Sequence, residues 1–530
     1  MLKPRRERNK ASSIATRDLV ELFSEDVYIG DVRNTALELE GREWWYNFIF
    51  LYLAGFTLIA LIASRFNLAT VFSSLSLACG VVFAAYATKL YAASLYFIAR
   101  GLLGDKKLGS LRSGRSKLST EHSPFVSVHI PVYNEPRVVD RILSACTKLT
   151  YRNYEVIVVD DSTDETTEIL RKWAKHPRVK VIHRPWRFGF KGEALNEALD
   201  ATDPRAEYIV VFDADFIPPP DIIESFLAYF KENSRTAPYP AELRPLLRRL
   251  RREASERPLV AVQGYQYHIL NKDTNTVTRA VSTEYTAGYI VERTFDEKLG
   301  LFKYLLGSVF MIRADVLRRY RWSRSITEDW ELSLRLYRDG YRIAFTPLIA
   351  APAECPDTVD KLIRQRVRWA IGSTLNAKKY FMEILRSPHM TLREKLSFLY
   401  FAYYYMQAFL FLLGNVCWLI ADLLLHTHPA FWSSKAGWIL LAYNLVAAPL
   451  MESVGLWLEN RLRRDFRGVL ASFMLLLLLS PFIAYASLKG IMLGRDVRGW
   501  ARTPKSGRIT ETRLKPIFKR LVYRLIYSEA

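Results

Sequence analysis

Four groups of residues in this chain can do chemistry. Asp160-Asp161-Ser162 and Asp213-Ala214-Asp215 are acidic pairs, Thr327-Glu328-Asp329 is a third acidic site, and Gln365-Arg366-Val367-Arg368-Trp369 follows it. Carboxylates bind a hard cation through oxygen, take a proton, or accept hydrogen bonds from a nucleoside. An arginine fork grips a diphosphate, and an indole face stacks on a sugar. One chain holding all of these, in this order and between apolar segments, is expected to be a membrane enzyme that moves a sugar from a nucleotide.

Each group also has a plainer reading. Asp213 and Asp215 can be a solvated turn. Asp160 to Ser162 can be an Asx turn, with Ser162 or Thr163 capping a helix that starts at Glu165. Asp329 falls at the start of a helical pattern from Glu328 to Asp339, where an acid suits the helix dipole. Gln365 to Trp369 lies in a helical pattern that begins near Thr358 and can be a basic membrane-interface helix anchored by Trp369. Sugar transfer with inversion needs one carboxylate to take the acceptor hydroxyl proton, with cationic groups and a metal to stabilise the departing diphosphate.

The elements that position these residues follow from texture. Val126–Val132, Tyr154–Asp160, Arg178–His183 and Tyr208–Asp213 are short, β-branched apolar runs, and the domain resumes with Leu259–Tyr267. Helical patterns such as Arg137–Leu149 and Glu165–Lys175 lie between them. Strands alternating with helices predict an α/β domain with a parallel sheet, from about Pro124 to Tyr380. Ligands bind beyond the carboxyl ends of such strands, and both Asp161 and Asp213 fall there. The arginine-rich stretch Ser234–Arg257 interrupts the pattern and is read as a solvated helix or loop.

Membrane segments flank this domain. Trp44–Ser64 and Phe66–Thr88 carry no charge and are joined by almost nothing, which predicts a helical hairpin. Each can cross about 30 Å of hydrocarbon. Basic residues on both flanks predict cytoplasmic ends and a cytoplasmic domain in a multi-pass cell-membrane protein. After the domain come Leu396–Ala421, Gly437–Met451 and Gly468–Leu488. If all three spanned, the tail would end on the far side; if Gly468–Leu493 lay flat or re-entered, the tail would stay on the side of the α/β domain. Half of the 530 residues are hydrophobic, 24% are charged, and the net charge is +21. No zinc-ligand, RNP-like or helix-turn-helix pattern accompanies that charge, so anionic lipid rather than nucleic acid is the expected partner. The four cysteines form no C-x-x-C pair, which suggests neither a zinc site nor a disulfide framework.

Together the motifs resemble the family 2 inverting glycosyltransferases of the processive, cellulose-synthase-like branch. The matching residues are Asp161, Asp213 with Asp215, Thr327 to Asp329, and Gln365 with Arg368 and Trp369. Pro131 to Glu135, and Lys191 with Ala194-Leu195-Asn196, are also similar. The resemblance implies a glycosyltransferase-A-type, Rossmann-like cytoplasmic domain inserted between transmembrane helices. It implies that Tyr133, Glu135, Asp160, Asp161, Lys191, Asp213 and Arg368 hold a nucleotide sugar. Asp213 and Asp215 would bind Mg²⁺ or Mn²⁺, Asp329 would be the catalytic base, and Glu328, Gln365 and Trp369 would bind the acceptor. Trp500-Ala501-Arg502-Thr503-Pro504-Lys505 resembles a gating loop, with Trp500, Thr503 and Lys505 as its contacts, and a basic amphipathic tail follows. A gating loop is cytoplasmic, so this resemblance implies that Gly468–Leu493 lies flat or re-enters. The implied domains are 1–43, 44–99, 124–380, 381–494 and 495–530. UDP-glucose or GDP-mannose is the expected donor, and a growing glycan or a lipid is the acceptor. Two activities fit: processive elongation of a β-linked glucan or mannan with translocation, or single transfer to a lipid.

Overall fold

A computed structural model describes residues 68–103, 123–234, 257–426, 434–492, 502–518 and 522. Residues 74–417 and 430–530 form one compact unit, and residues 1–73 with 418–429 form another. The core of the larger unit is one sheet. Its strands are β1 (Phe125–Val132), β2 (Tyr154–Asp160), β3 (Val179–His183), β4 (Ala206–Val211), β5 (Leu259–His268), β6 (Phe310–Arg313) and β7 (Arg342–Ala353). Their order is β3-β2-β1-β4-β6-β5-β7. β1 to β4 pair in parallel, β6 runs antiparallel between β4 and β5, and β5 pairs in parallel with β7. The α/β class is as the sequence predicts.

Burial explains why these strands read as unbroken apolar runs. Val128, Ile130, Val156, Val158 and Val210 face one side, Ile157, Val159, Ile209 and Val211 face the other, and all are fully buried because the sheet is covered on both faces. The chain winds outward from β1 through β2 to β3, then returns to place β4 on the other side of β1. That reversal opens a crevice at the carboxyl ends of β1 and β4, where ligands bind in open α/β sheets.

The helices that matter for the site are α1 (Leu68–Leu103), α2 (Phe190–Asp200), α3 (Thr276–Thr286), α4 (Glu328–Arg338), α5 (Val359–Arg386), α6 (Leu392–Ala402), α7 (Met406–Leu419), α8 (Lys435–Leu458) and α9 (Arg467–Met492). Among the described residues, Leu68–Gly101, Met406–Leu424, Lys435–Leu458 and Arg467–Met492 are long and apolar enough to cross a membrane. The apolar run Trp44–Ser64, and with it the first arm of the expected hairpin, lies outside the described residues, as does most of Ser234–Arg257. The run Leu396–Ala421 is not one helix. Thr391 and Glu394 form a capping box that starts α6 at Leu392, and a turn at Tyr403–Tyr405 separates it from α7. Leu392, Leu396 and Leu399 stand exposed on α6 at helical spacing, which gives a short amphipathic helix before the membrane segment.

α9 behaves differently from α1 and α8. The last two bring their C-terminal turns to one shared cluster, where Phe97 and Leu458 pack with Tyr265, Tyr267 and Ile290 of the sheet domain. α9 touches that domain at both ends. Near its start, Gly468 lies against Arg279 and Thr283 of α3, and near its end Gly490 lies against Ile371 and Thr374 of α5. It runs unbroken through Pro481, so no re-entrant turn is formed.

The loop between α8 and α9 is buried and charged. Arg461 pairs with Glu459 and Asp465 at 2.7 Å each, and Lys272 reaches Asp465 at 3.2 Å. Arg461 also donates to Ser282 and Thr286 of α3. Charges this deep persist only when paired and hydrogen-bonded, so this cluster fixes α8 and α9 to the sheet domain.

Candidate active site

The acidic residues gather at the crevice because each ends a strand or begins a helix that points there. Asp213 and Asp215 follow β4. The Asp213 backbone N–H is held by Ser308 Oγ at 3.0 Å. Lys191, in the first turn of α2, donates to Asp213 Oδ1 at 2.7 Å and to Gly307 O at 2.8 Å, and it stands 3.5 Å from Glu328. Burial alone would lower the Lys191 pKa, but Asp213 and Glu328 outweigh it and hold the ammonium above its ordinary range. A second lysine, Lys505 of the tail, donates to Asp215 Oδ2 at 2.9 Å. Burial would raise the Asp215 carboxyl, yet the Lys505 charge leaves it below the ordinary value.

Asp329 lies in the first turn of α4, where the Trp330 N–H donates to its Oδ1 at 2.8 Å. Burial and the neighbouring Glu328 push its pKa up to about 7, against the pull of Lys191. Gly307 makes this possible. Its φ is +78°, and a Cβ there would sit 3.3 Å from both Asp329 Oδ2 and Lys191 Nζ. Those two groups therefore face the same spot. Helix α5 brings Arg368 near enough to feel these charges, and Gly372 allows the close approach of the helix to Thr327. A Cβ at Gly372 would meet Thr327 at 2.7 Å. Arg368 feels the charges of Glu328, Asp213 and Asp329, although burial still lowers its own pKa. Gln365 is buried with its Oε1 unpartnered within the protein. The Arg366 guanidinium lies 5.0 Å from the Trp369 ring and pairs with Glu284 at 2.7 Å.

On the other side, Arg184 grips both oxygens of Asp161 at 2.5 Å. Burial raises the Asp161 pKa, and Arg184 opposes that rise. Arg187 lies 3.7 Å over the Tyr133 ring. Glu135 pairs with Arg502 of the tail at 3.0 Å, and burial carries its pKa to about 7 despite Arg502 and Lys505. Asp160 is turned inward. Its oxygens accept from the Ser162 N–H and the Thr167 hydroxyl and meet the His183 ring at 2.9 Å. Thr503 is buried with its hydroxyl unpartnered, and Trp500 lies outside the described residues.

Of the sequence-predicted residues, Lys191, Asp213, Glu328, Asp329 and Arg368 come together, Lys505 reaches Asp215, and Glu135 meets Arg502 of the same tail, whereas Asp160 is turned inward. Sequence reasoning missed Arg184, Arg187, Arg502 and Glu354. Arg184 and Arg187 follow the end of β3, and Glu354 follows the end of β7. The rule that picked Asp161 and Asp213 reaches Arg184 and Arg187 once the end of β3 is treated alike.

For a divalent ion, the donor set is two carboxylates one residue apart, at the end of a strand. Among the described residues no group of three or more His, Cys, Asp or Glu side chains converges. A Mg²⁺-like ion needs few protein ligands when phosphate oxygens and water complete its shell. The pair therefore fits such an ion, provided that Lys191 and Lys505 yield their places.

Residues 127–320 match the family described as Glycosyl transferase family 2, and residues 240–451 match Glycosyl transferase family group 2. Among curated proteins, the chain is 27% identical to a probable glucomannan 4-beta-mannosyltransferase 7 of Oryza sativa subsp. japonica, over 52% of this chain and 45% of that protein. It is 24% identical to a probable glucomannan 4-beta-mannosyltransferase 11 of Arabidopsis thaliana, over 76% of this chain and 85% of that protein. The match spans about half the length of the first of these relatives. Among solved structures, a mannosyltransferase from Pyrobaculum calidifontis, in complex with GDP-Man and Mn2+, aligns with a TM-score of 0.44 and 20% identity over 71% of this chain and 97% of its own.

Proposed function

The chain belongs to the family 2 glycosyltransferases, and from that premise we propose that it is a membrane-embedded, inverting synthase that elongates a β-linked mannan or glucan and passes it through its own helices. The observation that carries this reading is the convergence of Lys191, Asp213, Glu328 and Asp329, with Arg368 of α5 near enough to feel the three carboxylates. The glucomannan mannosyltransferase relatives favour GDP-mannose as the donor.

In this reading the acceptor hydroxyl attacks the anomeric carbon, the bond to the nucleoside diphosphate breaks, and the hydroxyl proton passes to Asp329. A base with a pKa near 7 is well matched to neutral pH. The charge on the leaving diphosphate is met by Lys191 and Arg368. Gln365, with its free Oε1, and Trp369 hold the acceptor terminus, and Glu328 orients it. Tyr133, Glu135 and Asp161 hold the nucleoside, and Asp160 secures their turn. Asp213 and Asp215 would hold Mg²⁺ or Mn²⁺, which would neutralise diphosphate charge. Thr503 and Lys505, with Trp500, form the gate over the donor.

The membrane reading is a cytoplasmic catalytic domain, with the segment near 44–64, α1, α7 and α8 crossing and α9 lying flat. The hold of the domain on both ends of α9, and the contacts of Arg502 and Lys505 with Glu135 and Asp215, support it. Protease digestion of a C-terminal tag in sealed cells tests it, and an externally cleaved tag rejects it.

The chemistry is tested with purified protein, labelled GDP-mannose or UDP-glucose, and Mg²⁺ or Mn²⁺, followed by digestion with linkage-specific hydrolases. A long β-linked product supports the proposal. A single sugar on lipid replaces processivity with single transfer, and no turnover of any donor rejects it.

A further inference from the structure

Glu354 has no place in the machinery described so far, yet it is the most densely bonded carboxylate beside the crevice. It follows β7 and is fully buried. Its Oε2 accepts from the Ser506 N–H and the Ser506 hydroxyl at 2.8 Å each, and its two oxygens accept from the Gly507 N–H at 3.1 and 3.2 Å. Arg141 Nη2 supplies the countercharge at 2.9 Å and also donates to Asp215 O at 3.0 Å. The Glu354 backbone N–H donates to Asp215 Oδ2 at 3.2 Å. One residue therefore holds the tail with its side chain and the Asp213-Ala214-Asp215 site with its backbone.

The tail is secured further on as well. The N–H groups of Thr510 and Glu511 donate to Leu270 O, and Glu511 pairs with Arg464 at 2.9 Å. Ser506 is thus the first firmly bonded residue after Lys505, and Lys505 stands next to it on Asp215. Gly507 adopts φ +73°, and a Cβ there would meet Arg137 at 3.1 Å. This left-handed residue turns two successive N–H groups toward one carboxylate.

We infer that Glu354 is a positioning residue: it anchors Ser506 and Gly507 so that Lys505 is delivered to the donor site beside Asp215. It does not touch substrate. It acts through Lys505. The inference rests on the donor-site reading above.

Two measurements on the full-length protein test it. The first needs no activity: trypsin cleavage after Lys505 and Arg508 in wild type and in Glu354→Gln. Loss of the carboxylate should speed that cleavage about tenfold, because cleavage tracks the open population. Equal protection in the two proteins overturns the inference. The second is a cycle of donor KM and kcat with Glu354→Gln, Lys505→Ala and the double variant. Acting through Lys505, Glu354→Gln should lower kcat/KM roughly tenfold in the wild-type background and less than about twofold once Lys505 is gone. Losses that multiply show a merely structural role and overturn it. Where Glu354→Gln fails to fold, Gly507→Ala disturbs the same anchor from the tail and carries the same expectations. A wild type that turns over no donor rejects the function, while the trypsin comparison still decides the anchor.

Discussion

Replacing Asp329 with asparagine should abolish transfer and, at alkaline pH, make the protein more stable. The two effects share one cause. Burial and the Glu328 carboxylate raise the Asp329 pKa from 3.8 to about 7. Its folded-state pKa lies above the unfolded one, so its contribution to stability is full below about pH 4 and is lost as pH rises through about 7. At 1.36 kcal/mol per tenfold change in proton affinity, holding this carboxylate ionised costs roughly 4 kcal/mol. Asparagine keeps the shape and can still accept the Trp330 N–H, but it carries no charge. Thermal melts of purified Asp329→Asn and wild type should separate at about pH 8, with the variant higher, and the gap should shrink by more than half by about pH 5. Turnover should fall by about a thousandfold or more, while the donor Kd stays within a few-fold. A gap that ignores pH would refute the burial argument. A large loss of donor affinity would refute the assignment of Asp329 as the base.

The other expectations are narrower. The acid limb of kcat in the wild type should have an apparent pKa near 7, rising to full rate at higher pH, since Asp329 must be ionised to take a proton; a flat profile from about pH 5 to 8 would exclude it. Gly307→Ala puts a methyl group between Asp329 and Lys191 at a left-handed φ, so kcat should drop at least about tenfold, with a melting loss of about 1–2 kcal/mol. Lys272→Met leaves Asp465 without one of its cationic partners and should cost about 3–5 kcal/mol, read as a lower melting temperature with unchanged donor KM. Asp215→Asn should weaken Mn²⁺ binding at least about tenfold when followed by electron paramagnetic resonance in the presence of nucleotide.

The sheet was legible in the sequence where burial on both faces leaves an uninterrupted signal. Tyr154–Asp160 is a strand with those very bounds, and the helix of Gln365 begins beside Thr358, which caps it as its side chain allows. β6 was not legible, because four residues in an antiparallel strand leave too short a pattern. Nor was β7, where Pro347 and Pro352 interrupt the strand pattern. Length and lack of charge made Leu396–Ala421 look like one helix, whereas the Thr391–Glu394 cap and the three tyrosines divide it. The acidic motifs announced themselves by type and spacing. Their partners did not: Lys505 meets Asp215, and Arg184 meets Asp161, only through tertiary folding, and no local pattern records such pairs.

The buried ion cluster between α8 and α9 bears on how the protein is made. Glu459, Arg461 and Asp465 are synthesised after Lys272, Ser282 and Thr286, the groups that receive them. If the sheet domain folds first, as earlier-made domains generally do, a finished socket awaits the charged loop as it emerges. The loop then acts as a late plug that registers two apolar helices against a finished enzyme core. A chain in which the sheet domain folds slowly would present Asp465 without Lys272 and Arg461 without its hydroxyl acceptors, so its losses would appear in assembly yield before they appear in the activity of the molecules that mature.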